Sequence, residues 1–201
     1  MIRTDTGDVA VEDLAPGDAV LTRDNGFQIL RWIGQCHLSA DALSVQPHLR
    51  PIEIAPGALG PHQPSGPLRV SPQHRVLLHG FGGEMLYGES EVLVAAAHLL
   101  PWQGVRTARC AAVTYVHMLF DRHEIVLSGG AWTESFQPGE RSLSGVDAAQ
   151  RAELYALFPE LRPADAVPAE PADPPRAGFV AARPTLKRHE AAILDPPPER
   201  R

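Results

Sequence analysis

From residue 1 to about 136 the chain consists of short Val, Leu and Ile runs cut by Gly or Pro every few residues, with little sustained helical periodicity. A helix needs its apolar residues at a 3.6 period over several turns, and runs this short and interrupted cannot supply it. The fold class that remains is mainly β. Asp18 to Arg23 predicts a strand closed by Asp24-Asn25-Gly26, whose Asn-Gly pair suits a tight turn with positive φ. Phe27 to Leu38 follows as a second strand. Leu30, Trp32, Cys36 and Leu38 share one face and Ile29 and Ile33 the other, the two-sided apolarity of a largely enclosed strand. Further strands are expected at Arg50 to Ile54, Leu68 to Ser71, Arg75 to His79, Glu84 to Tyr87 and Glu91 to Val94. Cys110 to Phe120 and Glu124 to Leu127 read as the longest pair, and Ala95 to Leu100 as one helical turn before Pro101.

Past Trp132 the apolar strands stop, from Phe136-Gln137-Pro138-Gly139-Glu140 onward. Asp147 to Leu157 carries apolar residues at Ala152, Tyr155 and Ala156 behind an acidic start and reads as a short helix ended by Pro159. From Pro163 the chain is rich in Pro and Ala and poor in large apolar residues, the composition of a flexible tail. The organisation expected is a β domain over 1–136, a linker and short helix over 137–162, and a flexible tail over 163–201.

Composition excludes several classes of function. The chain has 201 residues, 44% of them apolar, enough to bury a core. Its 24 acidic and 18 basic residues give a net charge of -6, with the basic ones scattered, which is no footprint for nucleic acid. No apolar run approaches the roughly 18 residues of a membrane span, and MIRTDTGDVA lacks the apolar core of a signal peptide. A soluble protein is expected, cytoplasmic or exported by a route other than Sec. Cys36 and Cys110 lie in apolar, strand-like stretches and read as buried free thiols.

Nine histidines invite a metal reading. His117 and His123 lie six apart, so on one extended strand they would share a face at about 20 Å, and only a turn between them could bring them to one ion. No HExxH, CxxC or His-x-His occurs, and no metal or cofactor is expected. Nor is there a GxSxG elbow for a serine hydrolase. His74 differs from the rest. Ser71 precedes it by three residues, and the strand Leu68-Arg69-Val70 feeds into the pair, so a hydroxyl and an imidazole stand together at the mouth of a β-fold.

The order of segments then matters. Thr4-Asp5-Thr6-Gly7-Asp8-Val9-Ala10-Val11-Glu12-Asp13-Leu14-Ala15-Pro16-Gly17-Asp18-Ala19-Val20-Leu21-Thr22 is followed by Arg31-Trp32-Ile33-Gly34 and by Ser71-Pro72-Gln73-His74-Arg75-Val76-Leu77-Leu78. Tyr115-Val116-His117-Met118-Leu119-Phe120-Asp121-Arg122-His123-Glu124 and Gly129-Gly130-Ala131-Trp132-Thr133-Glu134-Ser135 complete the set. Over residues 2 to 135 this resembles the Hint (hedgehog/intein) domain family, most closely stand-alone bacterial Hint-type proteins. The resemblance implies an all-β horseshoe of pseudo-twofold symmetry whose ends bring the first strand beside the histidine loop.

It also implies autoprocessing. In the family a Cys or Ser opening the domain attacks the carbonyl before it, and the histidine of a T-x-x-H motif assists departure of the amide nitrogen, turning the peptide into a thioester or ester. On this mapping His74 is the proton donor, with a pKa near the ordinary 6.5. Ser71 replaces the motif's threonine, His117 falls where relatives carry a polar residue assisting the nucleophile, and His123 matches the histidine of the next motif. The substrate would be the protein's own polypeptide or a fused N-terminal segment. Two departures accompany the match: no Cys or Ser lies ahead of Thr4, and Trp132-Thr133-Glu134-Ser135 lacks the asparagine that splicing relatives use. Either an upstream start restores a nucleophile, or the domain is a silent relative. A rival reading is a non-enzymatic β-domain binding module presenting the 147–158 helix and the Pro-rich tail to a protein partner, and a weaker one a metal hydrolase using His117 and His123.

Overall fold

The computed structural model describes residues 1–80, 88, 90–135, 181–194 and 196. The expected strand Glu84 to Tyr87 and the expected helix Asp147 to Leu157 lie outside the described residues.

The architecture is mainly β, and its strands follow from the Gly- and Pro-punctuated runs. The first hairpin joins β1 (Ile2–Thr4) to β2 (Gly7–Val9), with Thr4 Oγ1 donating to the Gly7 carbonyl at 2.8 Å. β3 (Ala19–Thr22) and β4 (Gly26–Ile29) form the next, where Gly26 takes the positive φ of 64° foreseen for the Asn-Gly turn. The expected strand Phe27 to Leu38 breaks at Leu30 and Arg31, and its second part, β5 (Trp32–Leu38), leaves the sheet to pair elsewhere. Phe27 and Ile29 are 49% and 42% exposed rather than enclosed, because β4 is an edge strand. α1 (Ala40–Val45), capped by the Ser39 hydroxyl, and a 3-10 turn at Pro47–Leu49 lead to β6 (Ile52–Ile54), β7 (Leu68–Val70), β8 (Arg75–His79) and β9 (Glu91–Ala95). The helical turn foreseen before Pro101 is a 3-10 turn, Ala96–Leu99. β10 (Val105–Thr107), β11 (Val113–Leu119), β12 (Ile125–Ser128) and β13 (Ala131–Glu134) follow.

Residues 181–194, placed by the sequence reading in the flexible tail, are folded onto the core. β14 (Thr185–Leu186) pairs in parallel with β9, and α2 (Arg188–Ala191) follows it. Leu186, Ala191 and Leu194 are buried. Three apolar side chains and one short ladder suffice here because β9 offers an open edge already ordered by the domain. This part of the tail packs on the β domain.

Among the described residues the strands form three sheets. The largest has nine strands in the order β14-β9-β8-β13-β12-β1-β3-β4, with β2 beside β1, and does not close into a barrel. β10-β6-β7 form a second sheet and β11-β5 a third, a seven-residue antiparallel pair. β11 therefore takes β5 as partner instead of the Glu124 to Leu127 segment, which pairs as β12 with β13, β1 and β3. The middles of β8 and β9 are apolar because both faces are covered: Val76, Leu78, Val92 and Val94 meet Ile54, Leu99 and Trp102, while Leu77 and Leu93 meet Ile125 on the other side. Cys36 and Cys110 form no disulfide and are only half-buried, and Cys110 lies in irregular chain ahead of β11.

Candidate functional site

The turn after β7 places the first two candidates. Ser71 accepts the His74 N–H at its carbonyl (3.1 Å), and the turn is pinned from outside by Ala97 N–H to Pro72 O and Ala96 N–H to His74 O, both 2.9 Å. Ser71 is 3% exposed, and its hydroxyl has no hydrogen-bond partner among the described residues. The sequence foresaw Ser71 and His74 side by side. They are adjacent, yet no hydrogen bond joins the hydroxyl to the imidazole.

His74 is half-buried and faces His117 of β11, the ring centroids 6.4 Å apart at an interplanar angle of 63°. His117 stands opposite Gly34 in the β11–β5 ladder, so no side chain crowds it from the neighbouring strand on that face. The turn needed between His117 and His123 exists, between β11 and β12. It sends His123 inward, with its side chain fully buried. Its Nδ1 accepts the Ala182 N–H at 3.1 Å, and its Nε2 lies 3.6 Å from Glu134 Oε2, just beyond hydrogen-bond length. Among the described residues no three His, Cys, Asp or Glu side chains are placed to share a metal ion.

Glu134 and Arg75 were not singled out from the sequence, and they are the ionic centre of this region. Glu134 ends β13 and Arg75 begins β8; Arg75 is 1% exposed and Glu134 4%. Glu134 Oε1 accepts the Arg75 backbone N–H at 2.9 Å, and Oε2 lies 3.4 Å from Arg75 Nη1. The pairing of Thr133 with Val76 puts the two opposite charges level with each other across the β13–β8 ladder. A signal existed in the sequence for Arg75, which abuts the apolar run Val76-Leu77-Leu78, where a long ionic side chain must be buried with a partner or not at all; Glu134, between Thr133 and Ser135, carries no such mark. One ladder step away, Ser135 and Glu124 are tied by Ser135 N–H to Glu124 O (2.8 Å) and Glu124 N–H to Ser135 Oγ (2.9 Å).

Electrostatics correct one expectation. His74 does not hold the ordinary imidazole pKa: burial lowers it, the Glu134 carboxylate partly offsets that, and Arg75 and His123 add to the lowering. His117 is pushed down to about 3, by burial first and the neighbouring His74 second. Glu134 stays below the usual carboxylate range, since the raising effect of its burial is outweighed by the His123 ring, the Arg75 guanidinium and His74. At neutral pH His74 and His117 are therefore neutral imidazoles, beside a buried carboxylate–guanidinium pair. A neutral imidazole can take a proton at one ring nitrogen and release one from the other.

Comparison with curated proteins finds no match. Among solved structures, the crystal structure of the MchDnaB-1 intein is similar at 13% identity, covering 66% of this chain and 93% of that one, with a TM-score of 0.41. A family model described as Hint domain matches residues 1–140. That match spans β1 to β13 and every candidate site residue named above, and on its strength the chain belongs to the Hint domain family.

Proposed function

We propose that the protein is an autoprocessing Hint domain in which His74 moves a proton during an acyl shift on its own polypeptide. The reading rests on one observation: a half-buried imidazole, held neutral, faces a second neutral imidazole (His117) at the end of a turn that opens with Ser71, whose buried hydroxyl has no partner among the described residues. In the shift a thiol or hydroxyl attacks the preceding carbonyl, a C–S or C–O bond forms, the C–N bond breaks, and the nucleophile's proton ends on the departing nitrogen. No net proton is taken up. A neutral His74 accepting that proton and delivering it to the nitrogen matches this balance better than an imidazolium donor. Ser71 Oγ is free to orient the reacting carbonyl or nitrogen, His117 assists the nucleophile, and His123 acts further in, through Glu134.

The topology sets how the nucleophile reaches His74. β13 and β12 lie between β8 and β1, and the Met1 carbonyl is held by Gly129 N–H at the end of β12 away from Glu124, whereas His74 lies near the Ser135–Glu124 end. Three strand spacings and about five residues along the strand amount to roughly 20 Å. An extended segment needs about six residues to cover that. The first strand is thus in the same sheet as the histidine loop rather than beside it, and an attached segment supplies the reach.

The test fuses a reporter ahead of Met1 through linkers carrying a single Cys at successive positions, with release measured under added thiol. Release is expected only with the Cys about six or more residues upstream, and a His74→Ala change should slow it by ~10²-fold or more. Undiminished release in the His74→Ala chain, or none at any Cys position, would sink the proposal.

A further inference from the structure

The segment 182–186 lies outside the residues matched by the Hint domain model, yet it touches the site. We propose that it is a built-in part of that site: the Ala182 backbone N–H, anchored by Arg183, positions His123 by fixing which ring nitrogen carries its proton. A nitrogen that accepts an N–H has its lone pair occupied and cannot be protonated. With Nδ1 taken by Ala182, the His123 proton resides on Nε2, the atom 3.6 Å from Glu134 Oε2. The His123 side chain is fully buried, so bulk solvent does not reach Nδ1. His123 therefore presents a fixed N–H toward the carboxylate that also holds Arg75.

The anchoring is stronger than a single contact requires. Arg183 Nε donates to Glu91 Oε2 at 2.8 Å, and its Nη1 and Nη2 reach Asp24 at 3.0 and 2.7 Å. Arg23 shares Glu91 from the other side, so the segment is clamped between the β3–β4 turn and β9. Leu93 N–H to Pro184 O at 2.8 Å and the Thr185–Leu93 pairing continue the attachment. Ala182 itself packs on Leu77, Leu93 and Ile125. Displacing the segment would leave Nδ1 without its donor and free His123 to adopt the other tautomer.

The proposal concerns a protonation pattern, so its test does not depend on turnover. Ring nitrogen signals of His123 in the 15N-labelled full chain at neutral pH distinguish a protonated from an unprotonated Nε2 and Nδ1. The native chain should show Nε2–H alone. Ala182→Pro removes the donor, and the ratio of Nε2–H to Nδ1–H should fall at least about fivefold, the factor set by one ordinary hydrogen bond. Arg183→Ala loosens the clamp without touching His123 and should move the ratio the same way, with Arg183→Lys recovering part of it; backbone amide signals of β12 and β13 report that the fold persists. A protonated Nδ1 in the native chain, or an unchanged ratio in both Ala182→Pro and Arg183→Ala, would overturn it. If no fusion ever releases its reporter, the proposed function falls and this result stands by itself.

Discussion

Acid should destabilise this protein well before its carboxylates protonate, and His117 should account for much of the loss. Its pKa is about 3 in the folded chain, through burial and the adjacent His74, against about 6.5 when unfolded. The unfolded state therefore binds the proton more tightly, and stability falls as pH drops below about 6.5 and goes on falling toward about 3. From pH 8 to pH 5 the contribution is close to 1.4 kcal/mol for each of 1.5 pH units, or about 2 kcal/mol. Since pH 5 lies well above the folded-state value, the unfolded-state pKa alone sets this figure. His117→Asn cannot take up the proton, so it should lose about 2 kcal/mol less than the native chain over the interval. Urea unfolding at both pH values measures the difference directly. His74 is lowered as well and remains in both proteins, so it cancels in the comparison. Glu134, held below the usual carboxylate range, stays ionised down to pH 5 and does not intrude. Equal losses in the two proteins would mean that His117 ionises as readily folded as unfolded, and the account of a His117 kept neutral by burial and by the neighbouring His74 would fail.

Glu134→Gln should destabilise by about 3–5 kcal/mol in denaturant titrations, because it removes the carboxylate paired with a buried Arg75. Gly130→Ala should cost more than Gly17→Ala in the same assay. Both glycines have positive φ, 82° and 105°, but only at Gly130 would a Cβ meet a neighbour's backbone, 3.0 Å from Ser65 N, where nothing flexible can move aside; a loss of about 1–3 kcal/mol is expected there.

Glycine and proline punctuation was sufficient to read the β class, the Asn25-Gly26 turn, most strands from β6 to β12 and the 3-10 turn before Pro101, because these depend on neighbours in sequence. The order of motifs indicated the family and placed Ser71 with His74. Pairing partners were not legible. Whether β11 joins β5 or the segment after it is decided by which strands the sheets bring alongside, and an apolar run carries no label for its partner. The exposure of Phe27 and Ile29 came from β4 lying at an edge, a property of the sheet and not of the strand.

The candidate site divides along the same line. His74, His117 and His123 could be named from the sequence because residue type and motif order mark them. The neutral state of His74 and His117, the role of Arg75 and Glu134, and the contact of Ala182 with His123 could not, since they depend on burial and on groups far apart in the chain, 59 residues for the Arg75–Glu134 and His123–Ala182 pairs. Local composition determined that the protein is built of strands and which histidines to examine. Desolvation and long-range approach, which exist only once the chain has folded, decided what those histidines can do.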